Sequence, residues 1–282
     1  AGTGRRRAAA ARKPIYEAME LIDTHSHLYD EAFDADREEA LARAAAEGVG
    51  RLLLPAIDSE SHGRLFELCR RHPERCIPMM GLHPTSVNDN PRWREELALV
   101  ERYLQSPPEG LPAFCAVGEI GLDLYWSRDF RGEQTEAFRR QIELALRYGL
   151  PIAVHTRDAW PETVDLVREF RGRGVRGVFH AYSDTAETYR ELKELGDFAF
   201  GIGGVVTFKK SKLAEVVRDM ELRDILLETD CPYLTPAPHR GERNESAYVR
   251  HVCEKVAELK GLTPEEVAQA TTENAKRIFK GI

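Results

Sequence analysis

The sequence lacks paired cysteines, a long apolar run and any surplus of positive charge, and each absence removes a class of protein. Its five cysteines, Cys69, Cys76, Cys115, Cys231 and Cys253, are odd in number, widely spaced and without a C-x-x-C pair. That argues against a disulfide framework and predicts a reducing, cytoplasmic home. No stretch approaches the ~18 apolar residues of a membrane span, and no secretory core follows the N-terminal arginines. The formal net charge is −7. Because the first twenty residues hold five Lys/Arg against two Glu, the remainder is more acidic still, and a general electrostatic grip on duplex nucleic acid is disfavoured. A G-x-G-x-x-G fingerprint after the first apolar run is also missing, which weakens the main structural alternative, an open doubly wound sheet.

What is present is a long β-then-α rhythm. A chain of 282 residues with 42% hydrophobic content suits one α/β barrel or two smaller domains. Residues 1–19, rich in Ala, Gly and Arg, run into Met19-Glu20-Leu21-Ile22-Asp23, which reads as a natural start. We expect 1–19 to be a leader or added extension outside the native fold, and 20–282 to be a single domain. Short apolar segments at 21–24, 51–55, 77–82, 114–119, 152–155, 175–180, 198–202 and 225–228 read as eight strands. Between them, Phe138, Ile142, Ala145 and Leu146 form one apolar stripe on a helix beginning near Gln134, and Gly149 with Pro151 ends it. Strict alternation predicts a parallel sheet covered by helices, and eight repeats in this length predict closure into a (β/α)8 TIM barrel.

The residues best able to bind metal fall at the carboxyl ends of those strands. The first ends in Asp23-Thr24-His25-Ser26-His27, where side chains two apart point the same way and both imidazoles can chelate one cation. A lone His-x-His is weak evidence. Repetition strengthens it: His83, Glu119, His155, His180 and Asp230 end five further strands, and barrel enzymes build their sites at this face. His62, His72 and His251 lie in helical stretches and read as packing or surface residues. Four histidines and two carboxylates without a nearby cysteine suit Zn, Mn, Fe or Mg ions, and six ligands are too many for one tetrahedral ion. A carboxylate such as Glu119 can bridge two divalent cations, and Asp230 can take a proton from a metal-activated water.

The strings Ile22-Asp23-Thr24-His25-Ser26-His27-Leu28, Gly81-Leu82-His83-Pro84, Val117-Gly118-Glu119-Ile120-Gly121-Leu122-Asp123, Gly201-Ile202-Gly203-Gly204 to Lys209, and Leu227-Glu228-Thr229-Asp230-Cys231-Pro232-Tyr233-Leu234 occur in this order. They resemble the TatD family of metal-dependent hydrolases and deoxyribonucleases from about Leu21 onward. The resemblance implies an amidohydrolase-like barrel, metal held by His25, His27, Glu119, His155, His180 and Asp230, catalysis by Asp230 and Glu119, and release of nucleotides from DNA. Two stretches depart from the family pattern: His180-Ala181-Tyr182-Ser183-Asp184 replaces His-Cys-Phe-Ser-Gly, and Arg243-Asn244-Glu245-Ser246 replaces Arg-Asn-Glu-Pro. Both bear on substrate preference and leave the ligands intact.

Substrate contacts are expected from His83, Arg157, Lys209, Tyr233, Arg240, Arg243 and Asn244, the last three on or beside a loop read as a mobile rim. Tyr125 and Trp126 could stack on a base. The leading expectation is a two-metal hydrolase of DNA phosphodiester bonds, exonucleolytic on single-stranded or short substrates, with no obligate protein partner. Its rivals are an ester or amide hydrolase of a small metabolite on the same barrel, where a modified lysine often bridges the metals in place of Glu119, and a non-catalytic metal-dependent binding protein.

Overall fold

A computed structural model of the protein describes residues 19–279, 281 and 282, so the expected leader falls outside the described residues apart from Met19. The eight strands are β1 (Leu21–Asp23), β2 (Val49–Leu54), β3 (Cys76–Pro78), β4 (Val117–Asp123), β5 (Ile152–Arg157), β6 (Arg176–Phe179), β7 (Asp197–Ile202) and β8 (Ile225–Leu227). Helices follow them in turn: α1 (Arg37–Ala46), α2 (Ser59–Arg71), α3 (Trp93–Gln105), α4 (Arg131–Tyr148), α5 (Trp160–Arg168), α6 (Ala186–Lys193), α7 (Leu213–Asp219), α8 (Val249–Lys260) and α9 (Pro264–Ile278). None of the described helices is long and apolar enough to cross a membrane.

Every strand pair is parallel, in the orders β1-β2-β3 and β4-β5-β6-β7-β8. Both seams between the two runs are stitched by the backbone. Met80 bridges Val117, and the Gly118 N–H donates to the Met80 carbonyl at 3.1 Å. At the other seam Thr24 donates to Leu227 (3.0 Å), Asp230 to His25 (2.8 Å) and His27 to Cys231 (2.9 Å). The result is the expected (β/α)8 barrel. Asp23 reinforces this seam: its buried carboxylate accepts the Thr229 N–H (2.9 Å) and hydroxyl (2.6 Å), and burial pushes its pKa up to about 7 against those bonds.

Strand bounds shift where local chemistry overrides the apolar pattern. The fourth strand runs from Val117 to Asp123 rather than 114–119, so Glu119 sits inside it. Gly121 permits this extension: at φ +141 a Cβ would lie 1.9 Å from the His155 carbonyl oxygen, so only glycine lies this flush against β5. The third strand ends at Pro78, and Met80 pairs only through an isolated bridge. The fifth continues past His155 to Arg157.

Alternate side chains of the strands fill the barrel, among them Ile22, Leu53, Ala153, Val178, Ala199 and Leu226, with Ala116 just before β4. Ile278 and Phe279, at the end of α9, join this same cluster. They enter from the amino-terminal end of the strands. The Ile278 carbonyl accepts Arg176 at the start of β6 (3.1 Å), Asn274 donates to Ile225 at the start of β8 (2.9 Å), and Thr272 donates to Glu20 just before β1 (2.9 Å). α9 starts with a reciprocal cap between Thr263 and Glu266, which fixes the approach of its plugging end. One end of the barrel is closed by packing, and the carboxyl end is left to chemistry.

Candidate metal centre

At that open end lies a cleft of about 930 Å³ whose lining includes His27, His83, Glu119, His155, His180 and Asp230. Glu119 is central and nearly fully buried. Its Oε2 stands 3.2 Å from His25 Nε2 and 3.6 Å from His27 Nε2. Its Oε1 stands 3.1 Å from His155 Nδ1, 3.3 Å from His180 Nε2 and 3.5 Å from His83 Nε2. The two oxygens of one carboxylate therefore address two separate groups of imidazoles. Asp230 completes the first group, with Oδ1 at 3.4 Å from His27 Nε2 and 3.7 Å from His25 Nε2.

The spacing within this first group fits a cation. Metal–ligand bonds of about 2.0 to 2.2 Å give a tetrahedron edges of about 3.3 to 3.6 Å. The nitrogens of His25 and His27 are themselves 3.2 Å apart, and each stands 3.2 to 3.7 Å from an oxygen of Glu119 and of Asp230. His25, His27 and Asp230 form one possible ligand group, and His25, Glu119 and His180 another. Thus all six residues expected as ligands converge, although their sequence positions span two hundred residues.

Hydrogen bonds behind the imidazoles decide which nitrogen faces inward. His27 Nδ1–H donates to the Tyr29 hydroxyl (3.0 Å), whose own proton goes to the Pro55 carbonyl (2.6 Å). His180 Nδ1–H donates to Glu228 Oε1 (3.1 Å), and His155 Nε2–H donates to Asp123 Oδ2 (2.9 Å). With that proton spent, each ring could offer its other nitrogen to a cation beside Glu119, the usual arrangement around a protein-bound metal. His83 is the exception. Its Nδ1 accepts the Thr85 N–H at 3.2 Å, so the neutral ring carries its proton on Nε2 and offers the cleft a donor. His83 also stands in a third possible ligand group, with Glu119 and His155, but this tautomer favours the substrate side, where the sequence placed it.

Charge in the centre is strongly coupled. Burial alone would raise the Glu119 pKa, yet the surrounding histidines, His25 foremost, hold it well below the carboxylate range. Asp230 is likewise held low against burial, chiefly by His180. His180 is raised well above the usual histidine value despite burial, by Glu228 and Glu119, whereas burial and the neighbouring His180 lower His25. The protein's own protons and imidazoles balance the carboxylates that a cation would otherwise neutralise.

The expected substrate residues divide. Arg157 and Tyr233 line the cleft with His83, and both are exposed. Lys209, Arg240, Arg243 and Asn244 do not border it. Arg240 lies over the Phe208 ring at 3.8 Å and donates to the Thr235 carbonyl (2.9 Å). Arg243 makes a two-pronged bond to Asp36 (2.7 Å each) over the Phe33 ring. Asn244 is fully buried and donates to the carbonyls of Thr229 (2.8 Å) and Tyr233 (2.6 Å). The rim loop is therefore fastened, and its polar groups hold the segment that carries Asp230. Sequence reasoning assigned no role to Tyr29, Asp123 or Glu228. Even spacing was the available signal: Asp123 lies four residues from Glu119 on β4, and Tyr29 and Glu228 lie two from His27 and Asp230 just beyond β1 and β8. His62 is buried against Phe66 and Tyr103, a packing residue as expected.

A barrel with this centre at its carboxyl end is that of a metal-dependent hydrolase. A family model described as TatD related DNase matches residues 22–280, and the chain belongs to that family. It is 40% identical over 265 residues to the metal-dependent hydrolase YabD of Bacillus subtilis, covering 92% of this chain and 99% of that protein. Identity to the metal-dependent hydrolase YcfH of Escherichia coli is 36% over 265 residues, covering 93% and 96%. Among solved structures, the TatD homologue YjjV from Escherichia coli superposes with a TM-score of 0.84 at 29% identity, covering 93% of this chain and 98% of that one.

Proposed function

We propose that this protein is a deoxyribonuclease that hydrolyses phosphodiester bonds of DNA, removing nucleotides from single-stranded or short substrates in the cytoplasm. The observation that carries the reading is Glu119, whose two oxygens face two imidazole groups, a placement that would let one carboxylate serve two cations. The family model's description as a DNase supports the choice of DNA. The five free, buried cysteines suit a reducing compartment.

Two divalent cations, one toward His25, His27 and Asp230 and one toward His155 and His180, would supply positive charge for the phosphate oxygens and acidify water at neutral pH. The chain's own groups do the rest. Asp230, whose side chain is the most open of the first ligand group at 16% exposed, takes the proton of the attacking water. His83 presents Nε2–H to the leaving oxygen. Arg157 meets a flanking phosphate at the mouth. Tyr29, Asp123 and Glu228 hold the imidazoles in register.

The test is digestion of end-labelled oligonucleotides by protein loaded with Mn, Mg, Zn or Fe, with an EDTA control, beside a panel of carboxylic esters and amides. Metal-dependent shortening of DNA is expected. Turnover of an ester or amide alone would overturn the reading in favour of a small-metabolite hydrolase, and tight ligand binding without turnover would favour a binding protein. Asp230→Asn should keep the fold and most metal while slowing DNA hydrolysis by about a hundredfold or more.

A further inference from the structure

Five large apolar side chains among the described residues are exposed: Tyr125, Trp126, Tyr233, Leu234 and Leu262. Trp126, Tyr233 and Leu234 line the cleft, and Tyr125 packs edge-on against Trp126 with ring centroids 4.9 Å apart. Exposed aromatics gathered at one mouth mark a binding surface rather than random leakage from the core. Trp126 is the most open of them, at 68% exposed. Arg157 joins them from the end of β5, its guanidinium 3.7 Å from the Tyr125 centroid and 5.5 Å from that of Trp126. Among the described residues Arg157 has no carboxylate within 4 Å, whereas Arg64, the other arginine lining the cleft, is paired with Asp34.

The opposite wall is of contrary character. Asp30 and Glu31, after β1, and Asp58 and Glu60, after β2, line the cleft there. None of these four has a lysine or arginine partner among the described ion pairs. β5 stands half a barrel turn from β1, so the mouth has one cationic, aromatic side and one acidic side. A polyanion entering it is drawn to the first and repelled by the second.

We propose that Tyr125, Trp126 and Arg157 form a nucleobase subsite. The base beside the scissile phosphate stacks on Trp126, Arg157 takes the adjoining phosphate, and the acidic wall leaves no place for a complementary strand. The proposal rests on the nuclease reading above and deepens it by assigning the residues that select single strands. Stacking is indifferent to hydrogen-bond pattern but grows with ring size, so purines are bound more tightly than pyrimidines.

The experiment measures binding separately from turnover. D230N protein in Mn²⁺ is titrated into 5′-fluorescein hexamers of dA, dT and abasic deoxyribose phosphate, following anisotropy. The dA hexamer should bind about tenfold more tightly than the abasic one, with dT between. In the W126A background that preference should vanish, and W126F should retain part of it. R157Q should keep the preference but lower the salt dependence of log Kd by about one ion. Equal binding of dA and abasic hexamers, a preference that survives W126A, or no binding of any hexamer would overturn the subsite. If wild-type protein cuts no DNA while the base preference holds, the nuclease reading falls and the subsite stands.

Discussion

A single backbone N–H separates His83 from the imidazoles around it. Thr85 donates to its Nδ1, whereas His27, His155 and His180 each spend a proton on Tyr29, Asp123 or Glu228. His83→Ala should therefore slow hydrolysis by about a hundredfold and leave bound metal unchanged, whereas His180→Ala should lose metal; elemental analysis beside a rate assay separates the two. Gly201 makes a related point about Glu228. A Cβ there would lie 2.0 Å from Glu228 Oε2, so Gly201→Ala must push away the carboxylate that orients His180. We expect metal affinity to fall about 10- to 100-fold in this variant, with Glu228→Gln reproducing the defect; unchanged affinity in both would refute the positioning role. At this scale the sequence was legible where identity alone tells, as in His25 and His27 two apart just after β1. It was silent on tautomers, because Asp123 and Glu228 look like ordinary strand-end acids until a ring is seen against them.

Elements were easier to read than their fastenings. The eight apolar segments all became strands, because buried parallel strands must be continuously apolar whatever they pair with. Their ends moved where a glycine or proline spoke louder than hydrophobicity, as at Gly121 and Pro78. The segment around Arg240 to Asn244 reads as a mobile rim from sequence, yet it is fastened, in part by a remote partner: Asp36, which holds Arg243, lies 207 residues away. Asp36 in turn joins this loop to the start of α1 and to Arg43. The Arg243 guanidinium, helped by Arg43, holds the Asp36 pKa well below its ordinary 3.8. A depressed carboxylate stabilises the fold above its unfolded pKa and loses that contribution as pH falls toward the folded value. Asp36→Asn should thus cost about 1 kcal/mol at pH 6, and the gap to wild type should narrow below about pH 4. Urea melts at pH 6 and 3.5 check this; a gap that widens in acid would contradict it.

For the whole molecule, the two ends of the barrel answer to different demands. The carboxyl end concentrates buried charge that cations relieve. A ligand at a hundred times its dissociation constant adds about 2.7 kcal/mol, so EDTA should lower Tm by about 5 to 10 °C, with recovery on adding Mn²⁺; a melting curve blind to chelation would argue against a filled site. The other end depends on Phe279, fully buried among the barrel-filling side chains. Phe279→Ala should cost about 3 to 5 kcal/mol, read by denaturant melts, with the metal ligands untouched.

The seam between β1 and β8 sets the order in which this protein can come into being. The backbone that pairs with His25 and His27, at Leu227 to Cys231, is made about two hundred codons after them, and the stopper at Phe279 later still. A nascent chain therefore carries half a chelating centre with nothing to close it until the partner backbone of the seam has been made.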